Sequence, residues 1–191
     1  VSGQSSLLED EMQIGVVCID LGASSSSISI FSRKNLIFSE SIRIGGQHIT
    51  SDIMQAFQIS FLAAERLKVL HGGLMPANSD DRETIELPEN NTDLYADRRT
   101  ITKSELLGVI RPRVEEIFDS LRTILDSSDF EFLPGQKVVL TGGGSKLANI
   151  LDFTSNFLGK PTRVAVPMRI QGLPASTHGP EAAAAIGLAL N

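Results

Sequence analysis

Lys137-Val138-Val139-Leu140-Thr141-Gly142-Gly143-Gly144-Ser145-Lys146 is the stretch from which the fold can be read. Val138, Val139 and Leu140 form a short apolar run, rich in β-branched side chains and bounded by glycine, as in a strand buried on both faces. Three glycines follow, and Leu147, Ile150, Leu151 and Phe157 then recur at helical spacing. The pattern predicts a buried strand, a turn on bare backbone and an amphipathic helix over residues 147–158. Such a turn lets a flat or anionic ligand touch main-chain N–H groups with no Cβ in the way. Packing alone also produces strand–glycine–helix turns, so the stretch gains meaning only beside a second turn of the same kind.

A second one lies near the start of the chain. Residues 14–20, Ile-Gly-Val-Val-Cys-Ile-Asp, read as a central strand ending in the carboxylate of Asp20. Leu21, Gly22, Ala23 and the serines Ser24, Ser25, Ser26 and Ser27 follow; the strand pattern resumes over 28–31, turns at 33–35 and continues over 36–44. Two strands around a Gly/Ser turn with Asp at its entrance suit a phosphate: small residues let N–H groups approach an anion, and hydroxyls add hydrogen bonds. Asp20 sits where it would hold a hydrated Mg²⁺, a hard cation that takes carboxylate and water oxygens. A plain hairpin with a serine-rich turn is the alternative.

Composition narrows the class. The 191 residues carry 41% hydrophobic and 21% charged side chains, ordinary for a globular protein of one domain plus an insert. A net charge of −6 argues against a nucleic-acid surface, which needs clustered Lys and Arg. A single cysteine, Cys18, excludes a disulfide framework and suits a reducing cytoplasm. No signal peptide is evident, residues 1–13 are polar and expected to fray, and the apolar run 182–190 is too short to cross a bilayer. Beginning with Val and opening onto a strand, the chain reads as a piece of a longer protein.

Between the two turns, Gly45-Gly46-Gln47-His48-Ile49-Thr50 leads into a helix with Ile49, Ile53, Met54 and Phe57 on one face. His48 has no second His or Cys at metal spacing and reads as a polar residue near a helix start. Ser60 is placed to cap a helix expected to bury Phe61, Leu62, Leu67 and Leu70. In it, Glu65 and Lys68 stand three apart on one face: a surface ion pair, or a carboxylate and an ammonium for a ribose diol and an adenine edge. Residues 71–99 are rich in Gly, Pro, Asn and Asp and read as an insertion, with strand candidates at 83–87 and 98–102. Thr102-Lys103-Ser104-Glu105 is a capping box, and Pro112 predicts a kink or a fresh start before Val114, Ile117, Phe118, Leu121 and Leu125. Arg111, Arg113 and Arg122 are either solvated charges or a docking face for an acidic or C-terminal peptide. A strand at 162–166, a loop at 168–178 and a helix opened by Gly179-Pro180 complete an α/β unit with a mixed sheet and a small insert.

Together these stretches resemble the second half of an actin-like ATPase, and within that superfamily the FtsA bacterial cell-division proteins. Cys18-Ile19-Asp20-Leu21-Gly22 is similar to the family's second phosphate hairpin, residues 44–50 to its helix start, and Ala64-Glu65-Arg66-Leu67-Lys68 to its nucleoside helix. Residues 138–147 resemble the adenosine motif, and residues 162–173, with Arg163, Pro167, Gly172 and Leu173, resemble the run after it. The likeness covers nearly the whole chain in the family's order.

The resemblance implies an actin-like ATPase (RNase-H-like) α/β lobe, a mixed sheet flanked by helices with a small α+β insert. It places residues 1–71 and 127–191 in subdomain 2A and residues 72–126 in the 2B insert with its return helix. It implies ATP and Mg²⁺ in a cleft between two lobes, one wall of which comes from this chain. Asp20, Gly22, Ser24, Ser25 and Ser26 would face the phosphates, Glu65 and Lys68 the nucleoside, and Gly142, Gly143, Gly144, Ser145 and Lys146 the adenosine, with Asp20 holding Mg²⁺ through water. Further implications are actin-like filaments, contacts with other division proteins, and docking of the FtsZ C-terminal tail on 2B, where Arg111 and Arg113 are the candidate contacts. The expected location is the cytoplasmic face of the inner membrane at the septum, reached through an amphipathic helix that this chain lacks. The first lobe, with its phosphate loop, and the 1C subdomain also lie outside it, so the chain alone is expected to bind ATP poorly.

One departure bears on activity. The family hairpin reads Asp-x-Gly-Gly-Gly-Thr-Thr, whereas this chain has Asp20-Leu21-Gly22-Ala23-Ser24-Ser25-Ser26. Ser25 and Ser26 can replace the threonine hydroxyls, while Ala23 and Ser24 add Cβ atoms, which touches γ-phosphate contact and hydrolysis more than nucleotide binding. Hydrolysis is expected to be weak or absent. A sugar-kinase-like phosphotransferase lobe is the alternative from another class, but no acidic base is marked beside a substrate pocket. A pilus-assembly or chaperone-type actin-like protein is disfavoured by residues 45–50 and 163–173.

Overall fold

The computed structural model describes residues 6–77, 79–87, 99–128, 130–131, 135–165 and 179–189. In chain order these form α1 (Glu9–Ile14), β1 (Val16–Leu21), β2 (Ser26–Ser32), β3 (Asn35–Ile42), α2 (Gly46–Phe57), α3 (Phe61–His71), β4 (Thr84–Glu86) and β5 (Thr100–Thr102). There follow α4 (Lys103–Ser127), β6 (Lys137–Thr141), α5 (Ile150–Leu158), β7 (Thr162–Val164) and α6 (Ala183–Ala189), with 3-10 turns at Gly143–Lys146 and Pro180–Ala182. Two compact units result: Val1–Gly46 with Ile117–Lys146 and Ile150–Asn191, and Gln47–Glu116 with Leu147–Asn149. These units cut the chain differently from the 1–71/127–191 and 72–126 division expected from the resemblance: residues 47–71 group with the insert, and residues 117–126 with the first unit.

The first unit is built on a mixed five-stranded sheet in the order β3-β2-β1-β6-β7. The meander β1–β2–β3 is antiparallel, and β6 joins β1 in parallel, Val17 opposite Val138 and Asp20 opposite Thr141. Val16, Val17, Val138, Val139 and Leu140 are wholly buried, which explains why both central strands read as continuous apolar runs rather than alternating ones. The edge strand β3 is half-polar and leaves Leu36 and Ile37 exposed. Phe118 of α4 meets Phe153 of α5 edge-on at 5.3 Å between ring centroids. Such a pair is worth about 0.5–1.5 kcal/mol beyond its buried area.

The second unit holds α2, α3, the two-stranded antiparallel sheet β4–β5 and the first part of α4. Ser60 accepts from the Ala63 N–H at 3.2 Å, as a cap should. The capping box closes reciprocally, Thr102 N–H to Glu105 Oε2 at 2.7 Å and Glu105 N–H to Thr102 Oγ1 at 3.1 Å.

Several expectations need correction. Residues 6–14 are ordered: Leu7 is buried with Val16, Cys18, Phe31, Val139 and Ala165, and Glu11 of α1 takes the Arg163 guanidinium on both oxygens. Ile14 therefore ends a helix rather than starting a strand. Helix α5 begins at Ile150, because the 3-10 turn and a left-handed Asn149 (φ 63°) intervene. Its buried residues are Ile150, Phe153 and Thr154, whereas Leu151 is exposed. Helix α4 runs unbroken through Pro112. Gly108, Arg111 and Pro112 are all exposed, so the Gly108 carbonyl deprived of its partner can be hydrated. On α3 only Ala64 and Leu67 are buried, while Phe61, Leu62 and Leu70 are exposed. Arg98, Val166, Pro167, the 168–178 loop and Gly172-Leu173 lie outside the described residues.

Candidate functional site

Parallel pairing of β1 and β6 brings both predicted turns to one end of the sheet. Asp20 stands opposite Thr141, and each strand then leaves the sheet at its carboxyl end, the edge at which open α/β sheets bind ligands. The two turns touch through Leu21. A Cβ on Gly142, whose φ is +81°, would lie 2.5 Å from the Leu21 carbonyl oxygen, and one on Gly144 would lie 2.7 Å from the Leu21 Cβ. Gly142 also borders the Asp20 carboxylate. Gly143 differs: its Cβ would meet only the Glu181 Cβ, at 3.9 Å. Packing against β1 thus requires the outer glycines, and the middle one is left open to an approaching group.

The serine turn is held from behind. The Gly46 N–H donates to the Gly22 carbonyl at 2.9 Å. A Cβ on Gly45 would collide with the Gly22 and Ala23 carbonyls at 2.6 and 2.7 Å. The extra Cβ atoms of Ala23 and Ser24 are carried without left-handed backbone, which non-glycine residues among those described adopt only at Arg33, Lys34, Gln58 and Asn149. Ser24 and Ser25 are exposed. Ser26 is buried and donates to the Ile44 carbonyl at 2.8 Å, and Ser145 is buried and donates to the Gly142 carbonyl at 2.7 Å. Both hydroxyls therefore brace the turns rather than face outward. Lys146 pairs with Glu181 at 2.6 Å and holds that carboxyl below its ordinary range. Cys18, on the strand carrying Asp20, is buried, which pushes its thiol up to about 12, with Asp20 adding to the shift.

In the second unit, Glu65 and Lys68 do form an ion pair, at 2.8 Å, and Thr50 joins them. Thr50, fully buried on α2, donates to Glu65 at 2.5 Å and receives the Lys68 ammonium at 2.8 Å. Burial alone would raise the Glu65 carboxyl, but the hydrogen bonds from Lys68 and Thr50 outweigh it and leave the group below its usual range. Arg111 pairs with Glu115 at 2.8 Å. Arg113 grips Asp52 of α2 with two hydrogen bonds, 2.7 and 3.0 Å, and Glu116 with a third. The Asp52 fork raises an already high guanidinium pKa further. Among the described residues no group of three His, Cys, Asp or Glu is placed to hold a metal, and no helix is long and apolar enough to cross a membrane.

The sequence reading missed Thr50 and Glu181. Thr50 stood in a quoted helix start without a role of its own. Glu181 had as its only signal an acidic residue directly after Gly179-Pro180.

A meander joined in parallel to a strand–glycine–turn unit, with paired turns at one sheet end, is the architecture of an actin-like ATPase lobe. MreB 5 of Spiroplasma citri bound to AMPPNP aligns with a TM-score of 0.68 at 22% identity, over 86% of this chain and 52% of that one. The PilM-PilN type IV pilus biogenesis complex aligns at 0.68 and 22%, over 95% of this chain and 46% of that one. The sequence carries the assignment further: a family model for the cell division protein FtsA matches residues 17–187. The chain belongs to the FtsA family of cell-division proteins. Cell division protein FtsA of Rhizobium meliloti (strain 1021) is 32% identical over 187 residues, 98% of this chain. The chain spans about 42% of that relative's length.

Proposed function

We propose that this chain is the part of a cell-division adaptor that forms one wall of an ATP cleft, supports actin-like filament assembly and receives the C-terminal tail of FtsZ. The observation that carries the reading is that one family match spans both turns, and those turns meet at the carboxyl ends of β1 and β6. In this reading the first unit offers Gly22, Ser24, Ser25 and the backbone of Gly143 to the nucleotide, and Ser26 and Ser145 brace the turns. Asp20 is a carboxylate at the end of β1, and a hard cation such as Mg²⁺ would take it beside oxygens from water and phosphate. The Glu65–Lys68–Thr50 cluster is assigned to the nucleoside on family resemblance. The opposing phosphate loop and the membrane attachment, at the inner membrane of the division site, would come from sequence outside this chain. Residues 1–71 with 127–191 and residues 72–126 are proposed as the family's 2A and 2B.

For the tail, α4 presents Arg111 and Arg113, and charge pairing with an acidic peptide is the proposed chemistry. Because Arg113 already holds Asp52 and Glu116, Arg111 is the more available of the two. The test is fluorescence anisotropy of a labelled FtsZ tail peptide titrated with this chain. Saturable binding that a scrambled peptide does not reproduce is expected, weakened in Arg111→Glu; equal binding of the scrambled peptide would remove the adaptor reading.

A further inference from the structure

In the first unit, the start of the last helical segment is stitched to the glycine turn. The Pro180 carbonyl accepts from the Gly142 N–H at 3.0 Å and from Thr141 Oγ1 at 3.2 Å. That stitch delivers Glu181 to the turn, where its carboxylate receives Lys146 Nζ at 2.6 Å. The two side chains are 40% and 57% exposed, and an exposed pair of this kind contributes little to stability. Its interest is chemical. A lysine neutralised by a carboxylate does not compete for phosphate as a lone ammonium does. It offers instead one donor and one acceptor side by side, next to the unobstructed backbone of Gly143.

We propose that the Lys146–Glu181 pair reads the base of a nucleotide bound at this turn. Lys146 donates to purine N7 and Glu181 accepts from the exocyclic amine, so that adenine is taken and guanine refused. The N7 edge of adenine presents an acceptor beside an amino donor, whereas guanine presents two acceptors there, and its O6 would face the Glu181 carboxylate. Glu181 is thereby a specificity-determining residue as well as the group that positions Lys146. This inference rests on the nucleotide reading above.

The test compares ATP and GTP binding to this chain by protein-observed NMR titration, in the parent, Glu181→Gln and Lys146→Met. The parent is expected to favour ATP by about tenfold or more, the effect of one hydrogen bond to a charged group gained or opposed. Glu181→Gln should bring the two nucleotides close to parity, because the amide can donate to O6. Lys146→Met should weaken both alike, since both carry N7. Neither variant should shift the melting curve, as both side chains are part-exposed. An unchanged ATP/GTP ratio in Glu181→Gln, or no preference in the parent, overturns the inference alone. If neither nucleotide shifts the Gly142–Lys146 amides in the parent, the nucleotide reading falls and takes the inference with it.

Discussion

Replacing each glycine of the triple turn with alanine separates packing from ligand approach. At Gly142 the added methyl would sit 2.5 Å from the Leu21 carbonyl oxygen and 2.7 Å from its carbon, both main-chain atoms of a central strand. The backbone there is also left-handed, at φ +81°. Left-handed conformation costs an L-residue about 1–2 kcal/mol, and overpacking a tight site about 1–3 kcal/mol. Gly142→Ala should therefore lose about 2–5 kcal/mol, or on the order of 10 °C in Tm for a domain of this size. Gly144→Ala has ordinary φ and meets the Leu21 Cβ at 2.7 Å, so only the overpacking cost applies, about 1–3 kcal/mol. Gly143→Ala meets nothing closer than 3.9 Å and should fall within about 0.5 kcal/mol of the parent. Urea and thermal unfolding followed by circular dichroism give all three values. A Gly142→Ala protein as stable as Gly143→Ala would refute the close approach of β1 to the turn. Gly143→Val is then the variant that reads nucleotide approach, and unchanged ATP affinity in it would mean that the turn serves packing only.

Arg113→Glu should destabilise the second unit by about 2 kcal/mol or more, because it sets a carboxylate against Asp52 and Glu116; Asp52→Lys combined with Arg113→Glu should recover part of the loss, and a silent single variant would deny the fork. Cys18 should resist alkylation at pH 8 in the folded protein and react at the unfolding rate, since burial keeps it a thiol; rapid labelling under native conditions would contradict its place in the core. The Glu65 carboxyl is depressed in the folded state, so its contribution is fully present above its unfolded value and is lost as pH falls through the lower folded one. Lys68→Met leaves burial without its main opponent and should move the Glu65 NMR titration midpoint upward; an unmoved midpoint would mean that Lys68 is not what holds the carboxyl down.

The features legible in the sequence are those fixed by local chemistry. Val138–Val139–Leu140 and residues 16–19 announce central strands because burial on both faces leaves no place for a polar residue. Ser60 and Thr102-x-x-Glu105 mark helix starts because the capping hydrogen bonds span three residues. The misread features depend on distant partners. The N-terminal helix is held by Arg163, which reaches Glu11 from β7. Pro112 is tolerated because its side of α4 faces solvent, which propensity alone does not reveal. Phe61, Leu62 and Leu70 look like a core face and are exposed, since apolar spacing on α3 does not say which side meets the unit. Among the site residues, the glycines and Asp20 were readable from their turns. Thr50 and Glu181 were not, because each acquires its role from a side chain far away in the chain, Thr50 from Glu65 and Lys68, and Glu181 from Lys146.

The central claim is that the two turns at the carboxyl ends of β1 and β6 form one nucleotide-binding surface. Backbone amide NMR of this chain titrated with Mg·ATP into the millimolar range tests it directly. We predict weak binding whose shift changes concentrate in residues 20–25 and 142–146 together, with one common dissociation constant. Changes confined to one turn, changes centred elsewhere in the chain, or none at millimolar nucleotide would contradict it.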